Sequence, residues 1–146
     1  MSTSERSCPS AQPDMKGARL LGVVEHGEDG ASLSYLNQEL EVDAALLAKS
    51  GSVPPTVVFR FAAPCVESRC THFDGQVCRL AARVVEQLEP TVDKLPPCTI
   101  RKTCRWYGQE GMPACTRCPQ VVTRVTDEST PLYAVAQGQV VHSPDA

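Results

Sequence analysis

Branched aliphatic residues form short runs in the first half of the chain, and polar turn residues separate these runs. The run ARLLGVVEH at 18–26 is followed by an acidic, glycine-bearing segment, and residues 32–42 alternate partly between apolar and polar positions. Such runs bounded by turn residues are typical of strands. The pattern predicts a two-stranded meander, and TVVFRFA at 56–62, entered through Pro54 and Pro55, predicts another strand.

Two segments carry helical signals instead. Asp43 precedes AALLAKS and is able to accept amide protons of a first turn, while Gly51 supplies a left-handed stop. Residues 79–88, RLAARVVEQL, place their apolar side chains at helical spacing with charged residues on the other side, and Pro90 follows. We therefore predict one short capped helix and one longer amphipathic helix.

The two ends of the chain complete the predicted organisation. Residues 1–16 are polar and show no periodicity, which predicts a disordered leader. Residues 17–146 are predicted to form a single domain, in which the tail stretches VVTRV and YAVAQGQVV return as strands. The predicted fold is α+β: a small, mostly antiparallel sheet, one amphipathic helix and a cysteine-rich region at 65–118 that binds a metal or a cluster.

Composition limits the classes of function. The 146 residues carry a net charge of -3, which gives no reason to expect nucleic acid as a partner, and no apolar run is long enough for a membrane span. The amino terminus does not resemble a secretory signal, so a cytoplasmic protein is expected. In a reducing compartment, eight cysteines point to metal ligation or thiol chemistry rather than to structural disulfides.

Seven of the eight cysteines fall into two groups with different spacing. The first group is Cys65, Cys70 and Cys78, with His72 between the last two, and the second is Cys98, Cys104, Cys115 and Cys118. The second group offers four thiolates, enough for a tetrahedral metal or for a cubane whose irons each need one protein ligand. The first is predicted to form a second site completed by His72, although a single cluster with ligands from both groups also fits.

The spacing departs from the common zinc layouts and from the bacterial ferredoxin run, since a two-residue interval occurs once, at Cys115 and Cys118. Two features favour iron and sulfur. Thiolates dominate the ligand set. Residues 60–124 also hold ten Lys or Arg against six Asp or Glu, a balance that would compensate the negative charge of a thiolate site.

The leading hypothesis is therefore a small iron–sulfur protein, with one or two [4Fe–4S] clusters, that transfers electrons or serves a partner enzyme as a redox accessory. The alternatives are a structural zinc module for protein contacts and a thiol/disulfide redox sensor. No catalytic residue is predicted. The polar segment at 104–118 is expected to be ordered by ligand bonds, with Trp106 and Tyr107 either screening the cluster or simply filling the core.

Overall fold

The computed structural model describes residues 6–27, 30–65, 72–73, 76–123, 133 and 135. Its strands form one antiparallel sheet in the order β1-β4-β2-β3. The strands are β1 (Ser7–Ala11), β2 (Arg19–Gly27), β3 (Gly30–Glu41) and β4 (Phe59–Pro64), and the helices are α1 (Ala44–Ala48), α2 (Pro55–Val58), α3 (Arg79–Gln87), α4 (Arg105–Glu110) and α5 (Met112–Arg117). The predicted α+β class with a small antiparallel sheet is confirmed.

The predicted meander is the β2–β3 hairpin. Its pairing runs from Arg19 opposite Glu41 to Gly27 opposite Gly30, with an irregularity between Leu20 and Gly22. A Cβ atom at Gly22 would lie 2.5 Å from the carbonyl oxygen of Ser34, so the two backbones approach more closely there than any side chain would permit.

Both predicted helices are present. Asp43 caps α1, and its Oδ1 accepts a hydrogen bond from the Leu46 amide at 2.8 Å. Gly51 has a φ of 63°, the left-handed conformation expected after the helix. In α3, Leu80, Ala81 and Val84 are buried in the core as the helical spacing predicts.

The strand predicted at 56–62 is only partly correct. Residues Pro55–Val58 form the helical turn α2, and the extended strand β4 begins at Phe59 and ends at Pro64. Pro55 lies in the first turn of α2, where its fixed φ suits a helix and its missing N–H costs no hydrogen bond. The β-branched residues that suggested a strand are therefore overridden by the proline before them.

The leader predicted to be disordered contains strand β1. Residues Ser7–Ala11 pair with β4, and the hydroxyls of Ser10 and Thr123 hydrogen-bond at 2.7 Å. These partners lie fifty or more residues away in the chain. Local periodicity carries no information about such contacts, which explains why the prediction of a disordered leader failed at this strand.

Two further segments differ from the strands and loops that the sequence suggested. In the tail, Tyr133 and Val135 are helical, and the other residues of 124–146 lie outside the described part of the chain. The polar segment 104–118 forms the two short helices α4 and α5, separated at Gly111 by a φ of 76°. A glycine meets this conformation without the penalty that a Cβ atom would add.

One face of the sheet packs against α3, α4 and α5 and forms the main core. Trp106, the chain's single tryptophan, is buried there at 2% exposure, next to Leu21, Ala114 and Cys118. A second, smaller core of Leu20, Phe59 and Phe61 receives the apolar side of α1. Within the described residues, no helix combines the length and the apolar composition that crossing a bilayer requires.

Candidate metal centre

The second cysteine group surrounds a single pocket. Cys98, Cys104, Cys115 and Cys118 all line it, and its empty volume, which includes space open to solvent, is about 340 Å³. The remaining lining is mostly apolar and aromatic: Pro9, Leu21, Tyr35, Pro96, Arg101, Trp106, Tyr107 and Ala114. The four thiols that the sequence grouped by proximity in the chain therefore meet in space.

Each thiol is carried by a different local structure. Cys98 follows the two prolines of the connector after α3, whereas Cys104 is the residue that precedes the first turn of α4. Cys115 lies within α5, and Cys118 follows α5 as its C-cap and begins the 3-10 helix Cys118–Gln120. Cys104 and Cys118 are buried, whereas Cys98 and Cys115 are half-buried. Cys104 and Cys118 therefore lie on the inner side of the pocket.

A buried arginine lies behind the pocket. Arg60 of β4 is 0% exposed, and its Nη2 donates a hydrogen bond to Cys118 Sγ at 2.8 Å. Its other hydrogen bonds go to backbone carbonyls, from Nε to Pro9 at 2.7 Å and from Nη1 to Cys118 at 2.8 Å and Val121 at 2.7 Å. The Arg60 guanidinium carbon also lies 5.8 Å from the centre of the Trp106 ring.

Tyr35 of β3 approaches the same sulfur. Its hydroxyl hydrogen-bonds to Cys118, and burial, followed by the electrostatic effect of the Cys118 side chain, raises the pKa of Tyr35, which keeps its proton. Sequence reasoning missed both Tyr35 and Arg60. The signal for Arg60 was present as a charged residue inside the apolar run VVFRFA, a position where an unpaired charge is costly.

The other three thiols also face hydrogen-bond donors. Burial raises the pKa of Cys98, while the Ile100 amide opposes the rise. Burial raises the pKa of Cys104 to about 12, opposed by the amides of Tyr107 and Trp106 at the start of α4, although neither makes a full capping hydrogen bond to the sulfur. Burial likewise raises the pKa of Cys115, and the Arg101 side chain opposes it. Without a ligand these thiols hold their protons, so metal binding must release protons.

Two buried donors in the pocket lining lack a partner. Trp106 Nε1 and Arg101 Nε are both inaccessible to solvent, and within the described part of the chain neither has a hydrogen-bond acceptor. A buried unpartnered donor ordinarily costs about 1–3 kcal/mol. The pocket therefore suits an occupant that carries acceptor atoms of its own.

The thiols are not gathered around one point. Among the described residues, no three His, Cys, Asp or Glu side chains are placed to hold a single metal ion. A tetrahedral zinc site with Zn–S bonds of about 2.3 Å would bring its sulfur atoms within about 4 Å of one another. The metal-binding part of the predicted fold is thus not shown by the geometry and remains a prediction.

The first cysteine group is only partly described. Cys65 follows β4 and is half-buried, whereas Cys78 caps α3 and its Sγ accepts a hydrogen bond from the Ala81 amide at 3.4 Å. Cys70 lies outside the described residues. The side chain of Gln109 in α4 bonds to both the amide of Cys78, at 2.8 Å, and its carbonyl, at 2.9 Å. This contact connects the helix that carries Cys78 with the second group.

His72 lies beside a second arginine. Its Nδ1 accepts a hydrogen bond from Nη2 of Arg83 at 2.8 Å, because a guanidinium has no acceptor. Burial and then the Arg83 charge lower the pKa of His72, so the ring is neutral with its proton on Nε2. Ligation of a metal by His72 would therefore require the ring to give up either its hydrogen bond from Arg83 at Nδ1 or its proton at Nε2. The prediction that His72 is a ligand remains untested.

Among the described cysteines, Cys65, Cys98, Cys104, Cys115 and Cys118 are free thiols. Comparison with known proteins adds no family to this picture. No protein-family model, no curated protein and no solved structure matches the chain. The function must therefore be argued from the site itself.

Proposed function

We propose that this chain is a small iron–sulfur protein that transfers electrons to a partner protein or supports a partner enzyme as a redox accessory. Cys98, Cys104, Cys115 and Cys118 are the proposed ligands of a [4Fe–4S] cluster. The observation that carries the proposal is the shared pocket, in which four thiols stand beside a buried cation and unpartnered buried donors.

The donor set fits a cluster better than a single ion. A cubane presents one iron to each of four cysteines, so its ligands stand apart around a cage, and its inorganic sulfides are hydrogen-bond acceptors. The pocket is lined by four thiols and by two residues with unpartnered buried donors, Trp106 Nε1 and Arg101 Nε. Four thiolates around zinc would leave those two donors with only the cysteine sulfurs to contact.

The chain's own residues would supply the electrostatic setting. When bound, such a cluster supplies one-electron oxidation and reduction. Arg60 and Tyr35 stabilise negative charge at the inner sulfur of Cys118, and Arg101 does so at Cys115. Trp106 and Leu21 close the inner side against water, while Cys98 and Cys115 lie nearer the surface, where a partner would approach.

The alternatives have less support in the described residues. A structural zinc module would use the same four thiols but would bring no inorganic acceptor to the buried donors of Trp106 and Arg101. A redox sensor needs an accessible thiol of lowered pKa, whereas burial raises the pKa values of Cys98, Cys104 and Cys115. A second site at Cys65, Cys70 and Cys78, with His72, and a cytoplasmic location both remain proposals.

The first experiment is anaerobic purification with iron, zinc and acid-labile sulfide analysis and a visible spectrum of the same sample. We expect iron and sulfide in similar amounts and a broad visible absorption. The single variants Cys98→Ser, Cys104→Ser, Cys115→Ser and Cys118→Ser should each lose this absorption. Cys8→Ser is the matched control and should retain it, because Cys8 lies on β1 and does not line the pocket.

The iron content of the variants Cys65→Ser and Cys78→Ser tests whether the first cysteine group also binds iron. A loss of about half the iron would indicate a second cluster, and an unchanged content would restrict binding to the second group. Stoichiometric zinc without sulfide in the wild-type protein would refute the iron–sulfur proposal and leave the zinc module.

A further inference from the structure

Arg60 occupies a buried position at which proteins rarely have a charged side chain. It lies in β4, an inner strand of the sheet, and is fully buried. A guanidinium cannot discard its proton, so its burial is tolerable only beside negative charge or dense hydrogen bonding. Three of its hydrogen bonds reach neutral carbonyls, and the fourth reaches Cys118 Sγ, the one partner that is able to carry a full negative charge.

The same side chain fixes the backbone of that cysteine. Arg60 binds both the Sγ atom and the carbonyl oxygen of Cys118, and it reaches Val121 at the other end of the 3-10 helix. Its Nε donates a hydrogen bond to the carbonyl of Pro9 in β1, and Pro9 lines the same pocket. One guanidinium thus sets the position of Cys118 relative to the sheet.

The surroundings of the four sulfurs are consequently unequal. The sheet directs two side chains at Cys118, because Arg60 from β4 and Tyr35 from β3 both hydrogen-bond to it. The electrostatic interactions of Arg60 with Cys104 and of Tyr35 with Cys98 are weaker. The Trp106 ring lies over the guanidinium and keeps it from water. In such a dry environment a fixed charge acts more strongly on its neighbour than it would at the surface.

We propose that Arg60 is a positioning residue which, assisted by Tyr35, holds Cys118 in place, compensates its negative charge and thereby raises the reduction potential of the bound cluster. This inference rests on the proposed function. Reduction adds one electron to the cluster, supplied by an external reductant, and a buried cation and a hydroxyl donor favour the more negative, reduced state.

The test is a potentiometric titration, followed by visible absorption, of wild type, Arg60→Gln, Arg60→Lys and Tyr35→Phe. We expect the midpoint potential to fall in the order wild type, Arg60→Lys, Arg60→Gln, and Tyr35→Phe to give a smaller fall. Lys49→Gln is the charge-matched control, because Lys49 is exposed at the end of α1 and its loss should leave the potential unchanged. If Arg60→Gln fails to fold, the midpoint potential of Tyr35→Phe tests the proposal, because this variant loses only one oxygen atom.

The inference and the proposed function fail in different ways. Iron and sulfide in the wild type, with potentials of the Arg60 and Tyr35 variants equal to that of Lys49→Gln, would overturn the role of Arg60 and leave the cluster intact. Zinc without sulfide would refute the cluster proposal. The role of Arg60 would then be tested by the rate at which the protein loses zinc to a chelator instead of by the reduction potential. Faster loss from Arg60→Gln than from Lys49→Gln would retain the role of Arg60 as the residue that holds Cys118, and equal rates would remove it.

Discussion

Trp106 combines a packing role with an unused polar atom. Its buried ring contacts the guanidinium of Arg60 and lines the pocket, yet its Nε1 has no acceptor among the described residues. The sequence offered two interpretations of this residue, a screen over a cluster and a core filler. The structure makes them compatible, because the same ring fills the core and lines the site.

This arrangement predicts a difference between loaded and metal-free protein. Trp106→Phe keeps an aromatic face under Arg60 but removes the N–H donor. If Nε1 donates to an acceptor of the bound cluster, the variant should lose about 1–3 kcal/mol of the stabilisation that loading provides. Thermal unfolding gives the Tm of the loaded and of the metal-free form. We expect the difference between these two Tm values to be smaller in Trp106→Phe than in the wild type.

Leu21→Val is the control for Trp106, since it changes the lining of the same pocket without touching a polar atom. Its loaded and metal-free forms should be destabilised equally. Equal destabilisation of the two forms of Trp106→Phe would show that Nε1 does not contact the occupant.

Among the elements, α1 shows how much a local signal determines. Its Asp43 cap and Gly51 stop are readable from the sequence because both act on the backbone within one or two turns. Strand β4 is the opposite case, since its start depends on Pro55 and its arginine makes sense only beside Cys118. A local pattern thus predicts caps and helical faces well and predicts long-range partners poorly.

The cap gives a prediction that is independent of the proposed metal centre. Asp43→Ala should lower the free energy of unfolding by about 1 kcal/mol, because the Leu46 amide loses its acceptor. Denaturant unfolding measures this change, and the iron content should stay at the wild-type level. Asp93→Ala, at an exposed residue of the connector, should have no measurable effect on stability. A loss of iron in Asp43→Ala would contradict the separation of α1 from the site.

For the whole molecule, the two cores imply that stability is not uniform. The core of Leu20, Phe59 and Phe61 lies outside the pocket lining, and the β2–β3 hairpin contributes Leu21 and Tyr35 to that lining. The four thiols of the pocket come from α4, α5 and the residues that flank them. Helices of six residues are too short to be stable by themselves. Ligand bonds from their cysteines would supply the missing order.

Removal of the proposed metal group should therefore act locally. We expect hydrogen exchange to accelerate across residues 98–123 after anaerobic chelation, while the amides of β2 and β3 keep most of their protection. Mass spectrometry of peptides from both regions measures the two effects in one sample. Uniform acceleration over the chain, or no change near the cysteines, would contradict a site that orders this segment.

The sequence by itself determined the α+β class, the β2–β3 meander, the capped helix α1, the amphipathic helix α3 and the grouping of the cysteines, because each depends on neighbours within a few residues or on composition. The tertiary structure decided what these parts share. It paired β1 with β4, turned the polar segment into two helices and placed Arg60 and Tyr35 against Cys118. Those contacts join residues that are distant in the chain, and only the packing of the sheet against the helices brings them together.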